Sequence, residues 1–261
     1  MIGRMRKLTP HVARVGALAL FAALGLGGCS GSFSPSSLKN ETADIGQSGA
    51  VTQSEQAAAP APSARPYFEA LASNDPVVMT QAEELSVPDS DAQAYAVYLA
   101  GTVQADQDSG YDTAPRQVKK IKGGFAMCGD STGQGTSCSE YTNMVHQDDL
   151  VETFDAGGSP LSGRISLGDG EVKLLGDSGQ VSLVATYHSI AGDVVAVFEV
   201  ESSPGGRLYQ ADSGIGPTAL DEGESAYYTF YFKDSKFGGE VTISALAGDG
   251  YEAASAAFAT Q

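Results

Sequence analysis

From Gln117 onward the chain moves to a rhythm of two. Apolar residues recur at every second position in short runs, and clusters of Gly, Asp, Ser and Pro separate the runs. That period is the spacing of strands with one buried face, and turn signals about every 8–12 residues are the spacing of a sandwich or barrel. Strands are expected at 117–128, 139–146, 150–154 and 161–167, then at 171–175, 181–190, 194–200, 207–211, 225–233 and 240–246. In 194–200 (VVAVFEV) alternation fails because both phases are apolar, which predicts a central strand covered on both faces. In 227–232 (YYTFYF) one face carries Tyr228, Phe230 and Phe232 and is expected in the core. The other carries Tyr227, Thr229 and Tyr231. Tyr227 and Tyr231 form a possible ligand surface there, set against tyrosines that simply face solvent.

Ahead of the strands the period is helical. Pro66 suits a first helical turn, Asp75 can cap a helix with Pro76 at its first position, and Ser90 with Gln93 forms a capping-box pair. Tyr95, Leu99 and Val103 then make an apolar stripe to about residue 105, and Gly110 is the expected stop. The expected fold class is mainly β with an N-terminal helical part. Residues 66–168 would be helices plus a small antiparallel meander, 169–250 a β-sandwich, and 251–261 a C-terminal tail.

Residues 1–28 have the three parts of an export signal. Arg4, Arg6, Lys7 and Arg14 are basic, and an apolar run of twelve, VGALALFAALGL at 15–26, follows them. It is too short to span a bilayer, which takes about 20 helical residues, and fits a signal-peptide core. Leu26-Gly27-Gly28-Cys29 resembles the lipobox of bacterial lipoproteins. The resemblance implies cleavage before Cys29 and a diacylglycerol on its thiol. Two or three acyl chains, at about 0.8 kcal/mol per buried CH₂, would hold the chain at the extracytoplasmic face of the cell membrane. The plain alternative is a secretory peptide with a chance cysteine. Residues 29–65 are rich in Ser, Ala, Pro, Gly and Gln and are expected to form a disordered tether.

The chain has three cysteines, so acylation of Cys29 leaves Cys128 and Cys138. They flank GDSTGQGTS, a loop on composition, and in an exported protein they are expected to pair and staple a hairpin.

Three further stretches carry a family resemblance. VSLVATYHSIAGDVVAVFEVES followed by TALDEGESAYYTFYF and GGEVTISAL looks like the immunoglobulin-like sandwich of many bacterial lipoproteins of unknown function. The chain is also similar to a type of actinobacterial exported lipoprotein that joins a helical opening to such a sandwich. The likeness covers most of 66–250. It implies a fold and a location, and no catalytic residue.

Charge narrows the partners. The whole chain holds 15 Lys and Arg against 32 Asp and Glu, and four of the basic residues lie in 1–28, so the remainder carries about −21. Such a body repels phosphate backbones, which excludes nucleic acid as the expected partner. The expected partners are the membrane through Cys29, and an unidentified envelope protein or small ligand.

Several stretches imitate reactive motifs. Gly129-Asp130-Ser131-Thr132-Gly133 fits G-x-S-x-G, whose serine works from a strained strand-to-helix turn. Here strands are expected on both sides, so Ser131 is the candidate nucleophile of an alternative reading, an envelope hydrolase. GDSG at 176–179 echoes a protease nucleophile but reads as a strand-to-strand turn. Counted from Asp106, a calcium loop would need Gly sixth and Glu twelfth, where the chain has Tyr111 and Gln117. His146 with Asp148 and Asp149 reads as a polar turn before it reads as metal ligands. Arg116, Lys119, Lys120 and Lys122 form the one basic cluster outside the leader. They are expected on a solvated strand face or edge, with acidic neighbours or lipid headgroups as the other possible contact. No catalytic group, metal or cofactor is expected. The leading expectation is a non-catalytic binding or interaction module, and a third reading is a structural surface lipoprotein.

Overall fold

The computed structural model describes residues 64–260 apart from 112, 132–134, 205–207, 211–213, 234, 236 and 248–251. Cys29, with Leu26, Gly27 and Gly28, lies outside the described residues, as do the leader and nearly all of the tether.

Helix α1 (Arg65–Ala72) opens on Pro66, and α2 (Pro76–Glu84) is capped by Asp75, whose carboxylate accepts from the Val77 amide at 3.0 Å. Helix α3 (Asp91–Asp108) starts where Ser90 Oγ accepts from the Gln93 amide at 3.2 Å. Gln93 reaches back to the amide of Asp89 at 2.7 Å, one residue earlier than the usual capping-box partner. Gly110, at φ +78°, ends the helix as expected, with its amide bonded to Gln107 O.

A five-stranded antiparallel meander follows in the order β1 (Gln117–Ile121), β2 (Gly124–Ser131), β3 (Gly135–Gln147), β4 (Leu150–Ala156) and β5 (Ser159–Pro160). The single strand expected at 117–128 is therefore two. Lys122 and Gly123 turn the chain, and Gly123 at φ +79° takes the left-handed conformation that the tight hairpin needs. Val118 and Phe125 pack inward on either side of that turn, seven positions apart, so the inward phase of the alternation changes across it.

The remaining strands build two packed sheets. One takes β6 (Ile165–Leu167), β8 (Gly179–His188), β9 (Val194–Ser202), β13 (Ser225–Phe232) and β11 (Gly214–Ile215), with β7 (Val172–Leu175) also on β8. The other runs β12 (Ala219–Leu220), β10 (Leu208–Gln210), β14 (Glu240–Ala247) and β15 (Glu252–Ala259). Between them lie Leu183, Phe198, Phe230, Val241, Ile243 and Phe258, with the Phe198 ring 5.3 Å from Phe258 and 5.9 Å from Phe230. The β-sandwich architecture is thus present. Residues 251–261 are not only a tail, because β15 pairs with β14 along its whole length. Its sequence, EAASAAFA, buries mainly Ala256 and Phe258, too little apolar surface to stand out as a strand.

Strand β9 lies between β8 and β13 and is buried on both faces, as its double apolar phase predicts. Val194, Ala196, Phe198 and Val200 face the second sheet, while Val195 and Val197 belong to the core under the helices. That second core joins α1–α3, the inner face of the meander and the outer face of the sandwich. Tyr67, Phe68, Phe154, Tyr95 and Tyr141 stack through it at centroid distances of 4.9–6.0 Å. Helix and sandwich meet at Gly101, where an added Cβ would lie 2.6 Å from Val197 Cγ1.

Cys128 and Cys138 are directly opposed on β2 and β3, with Cα atoms 4.1 Å apart, and are joined by a disulfide. This is the expected stapled hairpin, with both strands running past the cysteines.

Two stability predictions follow from this packing. Gly101→Val should lower the unfolding free energy by about 1–3 kcal/mol through overpacking, despite the better helix propensity of valine. Chemical denaturation of Gly101→Ala alone and with Val197→Ala should show the second change restoring part of the loss. Cys128→Ala/Cys138→Ala should cost about 2–3 kcal/mol by the same measurement, the loop-closure value for so short a ring.

Candidate functional site

Helix α3 holds the meander and the sandwich apart, and where it ends its cover the two sheets leave a cleft. Tyr95 of α3, Tyr141 of β3 and Tyr187 of β8 line its base. The lips are the Gly157-Gly158 turn between β4 and β5 and Ile190 between β8 and β9, which is 68% exposed. Glu140 and the disulfide at Cys138 complete one wall, and the space is about 500 Å³. That is within the usual range for a small-ligand site.

The base is tied together by its hydroxyls and rings. Tyr95 and Tyr141 share a hydrogen bond at 3.2 Å, and the Tyr95 and Tyr187 rings lie 5.9 Å apart. Behind Tyr187, Arg164 donates to its hydroxyl at 2.6 Å and lays its guanidinium 5.1 Å from the ring centre. Arg164 also donates to the carbonyls of His188 and Ser159, which ties the end of β8 to β5. Burial raises the phenol pKa of Tyr95, Tyr141 and Tyr187; Arg164 opposes that rise at Tyr187, and the hydrogen bond from Tyr95 and the charge of Arg116 oppose it at Tyr141. These hydroxyls stay protonated at neutral pH. They can donate and accept hydrogen bonds, and the rings can stack on a ligand, but nothing at the base is a ready base or nucleophile.

The residues picked out from sequence fall elsewhere. Tyr227 lies under α3, its ring beside Gly101 and its amide donating to Asp108 Oδ2 at 2.8 Å. It is therefore packing surface. Tyr231 is 48% exposed on the same face of β13, two residues further on. Ser131 stands opposite Gly135 at the tip of the β2–β3 hairpin, with strands on both sides, so the strand-to-helix setting of a nucleophile elbow is absent there. GDSG at 176–179 is the turn between β7 and β8, closed by the Leu175–Gly179 pair. Asp106 and Asp108 end α3, and burial raises the pKa of Asp106 against the opposing charge of Arg116. Asp148 and Asp149, both with positive φ, form the two-residue turn from β3 to β4, and His146 leaves its Nε2 buried without a partner. Among the described residues no three His, Cys, Asp or Glu side chains group closely enough for a metal ion.

No protein family, curated protein or solved structure matches the chain.

The cleft was not legible in the sequence, because its base comes from three segments more than forty residues apart. The one signal was tyrosine at core positions of all three, where a hydroxyl needs a partner.

Those buried phenols predict alkaline lability. Tyr67 and Tyr95 have pKa values held well above the ordinary one, chiefly by burial. Folded values above the unfolded value of about 10 stabilise the fold fully below that pH, and the contribution is lost as pH rises beyond it. The chain has 11 tyrosines and no tryptophan, so absorbance at the tyrosinate band reads them directly. The buried set should ionise only as circular dichroism collapses, the two signals changing together above about pH 10.

Proposed function

We propose that this protein is a lipid-anchored extracytoplasmic binding protein, non-catalytic, whose ligand or partner engages the tyrosine-based cleft. The observation that carries the binding part is the cleft itself: an open space of about 500 Å³ with three neutral phenols at its base and no nucleophile paired with a base. The anchoring part rests on the export signal and Leu26-Gly27-Gly28-Cys29. The Cys128–Cys138 disulfide supports it, since such bonds persist in oxidising compartments. No helix among the described residues is long and apolar enough to cross a membrane.

Anchoring is tested by detergent-phase partition and N-terminal peptide mass in an exporting bacterial host. The chain should partition with detergent and carry a diacylglycerol mass on Cys29, and Cys29→Ala should move it to the aqueous phase. An unmodified Cys29 in exported protein would end that part of the proposal.

Binding is tested by a photo-crosslinking residue placed at Ile190, on the lip, with Leu174 as control. Leu174 is 73% exposed on β7, near the opposite end of β8. An adduct formed from Ile190 and absent from Leu174 is expected. Identical background from both positions would remove the cleft as the site.

A further inference from the structure

The basic cluster at 116–122 is left unused by the cleft, and its place in the fold gives it a role. Lys119, Lys120 and Lys122 are all exposed, and among the described residues none of them makes an ion pair. They lie on β1 and its turn, and β1 is the outermost strand of the meander. In a body of about −21 they are a local exception. Beside them the chain enters the fold. The Arg116 amide donates to Ala72 O at 2.7 Å, and Arg65, Glu69 and Ser73 of the α1 region share a groove of about 260 Å³ with Arg116 and Val118. Glu69, the nearby acid on α1, is bonded to Arg65 at 2.7 Å.

From the juxtaposition of this basic edge with the point where the tether joins the fold, we infer that β1 and its turn form a docking surface for anionic lipid headgroups, which orients the body on its membrane. The inference rests on the reading of Cys29 as the anchor. Charges beyond a Debye length of about 8–10 Å are screened, so the distant acidic residues do not cancel a patch pressed against a surface. Each lysine near an anionic leaflet changes partitioning about fivefold. The 35 residues between Cys29 and Arg65 have the Ser-, Ala-, Pro- and Gly-rich composition of a linker, and a coil of that length would span roughly 30–35 Å, so even weak attraction would act at high effective concentration. The plainer role for edge lysines is to repel other strands, and that role has no dependence on lipid charge.

The test uses the chain from Cys29 onward. With Cys128 and Cys138 bonded to each other, Cys29 carries the one free thiol and can be coupled to a maleimide lipid. Vesicles of phosphatidylcholine alone are compared with vesicles containing phosphatidylglycerol, and lysine acetylation rates are read by peptide mass spectrometry. Lys119, Lys120 and Lys122 should be modified at least threefold more slowly on the anionic vesicles, with the difference lost at high salt. Lys233, exposed at the end of β13, should be unaffected. Lys119→Gln/Lys120→Gln/Lys122→Gln should abolish salt-sensitive attraction, read by how often the uncoupled chain sediments with anionic vesicles. Equal labelling on both vesicle types would overturn the inference, as would slowing of Lys233 alongside the cluster. Protection in intact cells without protection on anionic vesicles would also overturn it and assign the edge to an acidic protein. Because the coupling is chemical, an unacylated Cys29 in cells would end the anchor reading while leaving the vesicle result independent.

Discussion

Helix α3 is buried on two opposite sides, and the rest of the fold is arranged around that fact. Ala92, Tyr95 and Val103 are fully or nearly buried, and so are Ala94, Tyr98, Gly101 and Ala105. A helix with so much small and apolar surface on both sides has no solvated arrangement of its own. Tyr95 contacts Tyr141 and Phe154 in the meander and Tyr187 in the sandwich. Meander and sandwich are therefore held in one body through a shared core. Close approach to the sandwich depends on Gly101, where Val197 occupies the place of a side chain. At the other end of the contact, β11 stops opposite Thr229 and Asp108 takes the amide of Tyr227 that no strand pairs with on that side. A carboxylate in the last turn is disfavoured by the helix dipole, and the charge-assisted bond to this amide offsets that cost.

The cleft is a consequence of the same insertion. Two sheets packed directly face to face lie about 10 Å apart and interdigitate. With a helix between them they are held wider, and where the helix no longer fills the gap large side chains must. Tyrosine suits that position, with a ring to cover apolar neighbours and a hydroxyl to meet polar ones. Arg164 steadies the opening by donating to the His188 carbonyl at the end of β8 and to the Ser159 and Pro160 carbonyls of β5, so its charge is spent within the wall.

How much of this was legible follows from how local each signal is. The three helices start within a residue of Pro66, Asp75 and Ser90, because caps and first-turn prolines are set by neighbours in sequence. The double apolar phase of 194–200 placed β9 at the centre of its sheet, and the Cys128–Cys138 pairing followed from counting. What failed was long-range or weakly coded. The turn at Gly123 was hidden because apolar residues stand in both phases around it, Val118 and Ile121 before and Phe125 and Ala126 after, and β15 by its alanines. Nothing in 225–233 announces that a helix from residues 91–108 packs on Tyr227, while Tyr231 on the same face stays 48% exposed.

Position along the meander links the basic edge to the cleft. Strand β1 is one boundary of the sheet, and the cleft residues come from β3 and from the turn after β4, two to three strands across. At about 4.8 Å per strand that separates them by roughly 10–14 Å in the plane of the sheet. A body resting on β1 and its turn would present that cleft laterally, neither pressed on the bilayer nor at the far pole. A ligand reaching Tyr141 and Tyr187 would then arrive along the membrane surface, and the lips at Gly157 and Ile190 are where it would make first contact.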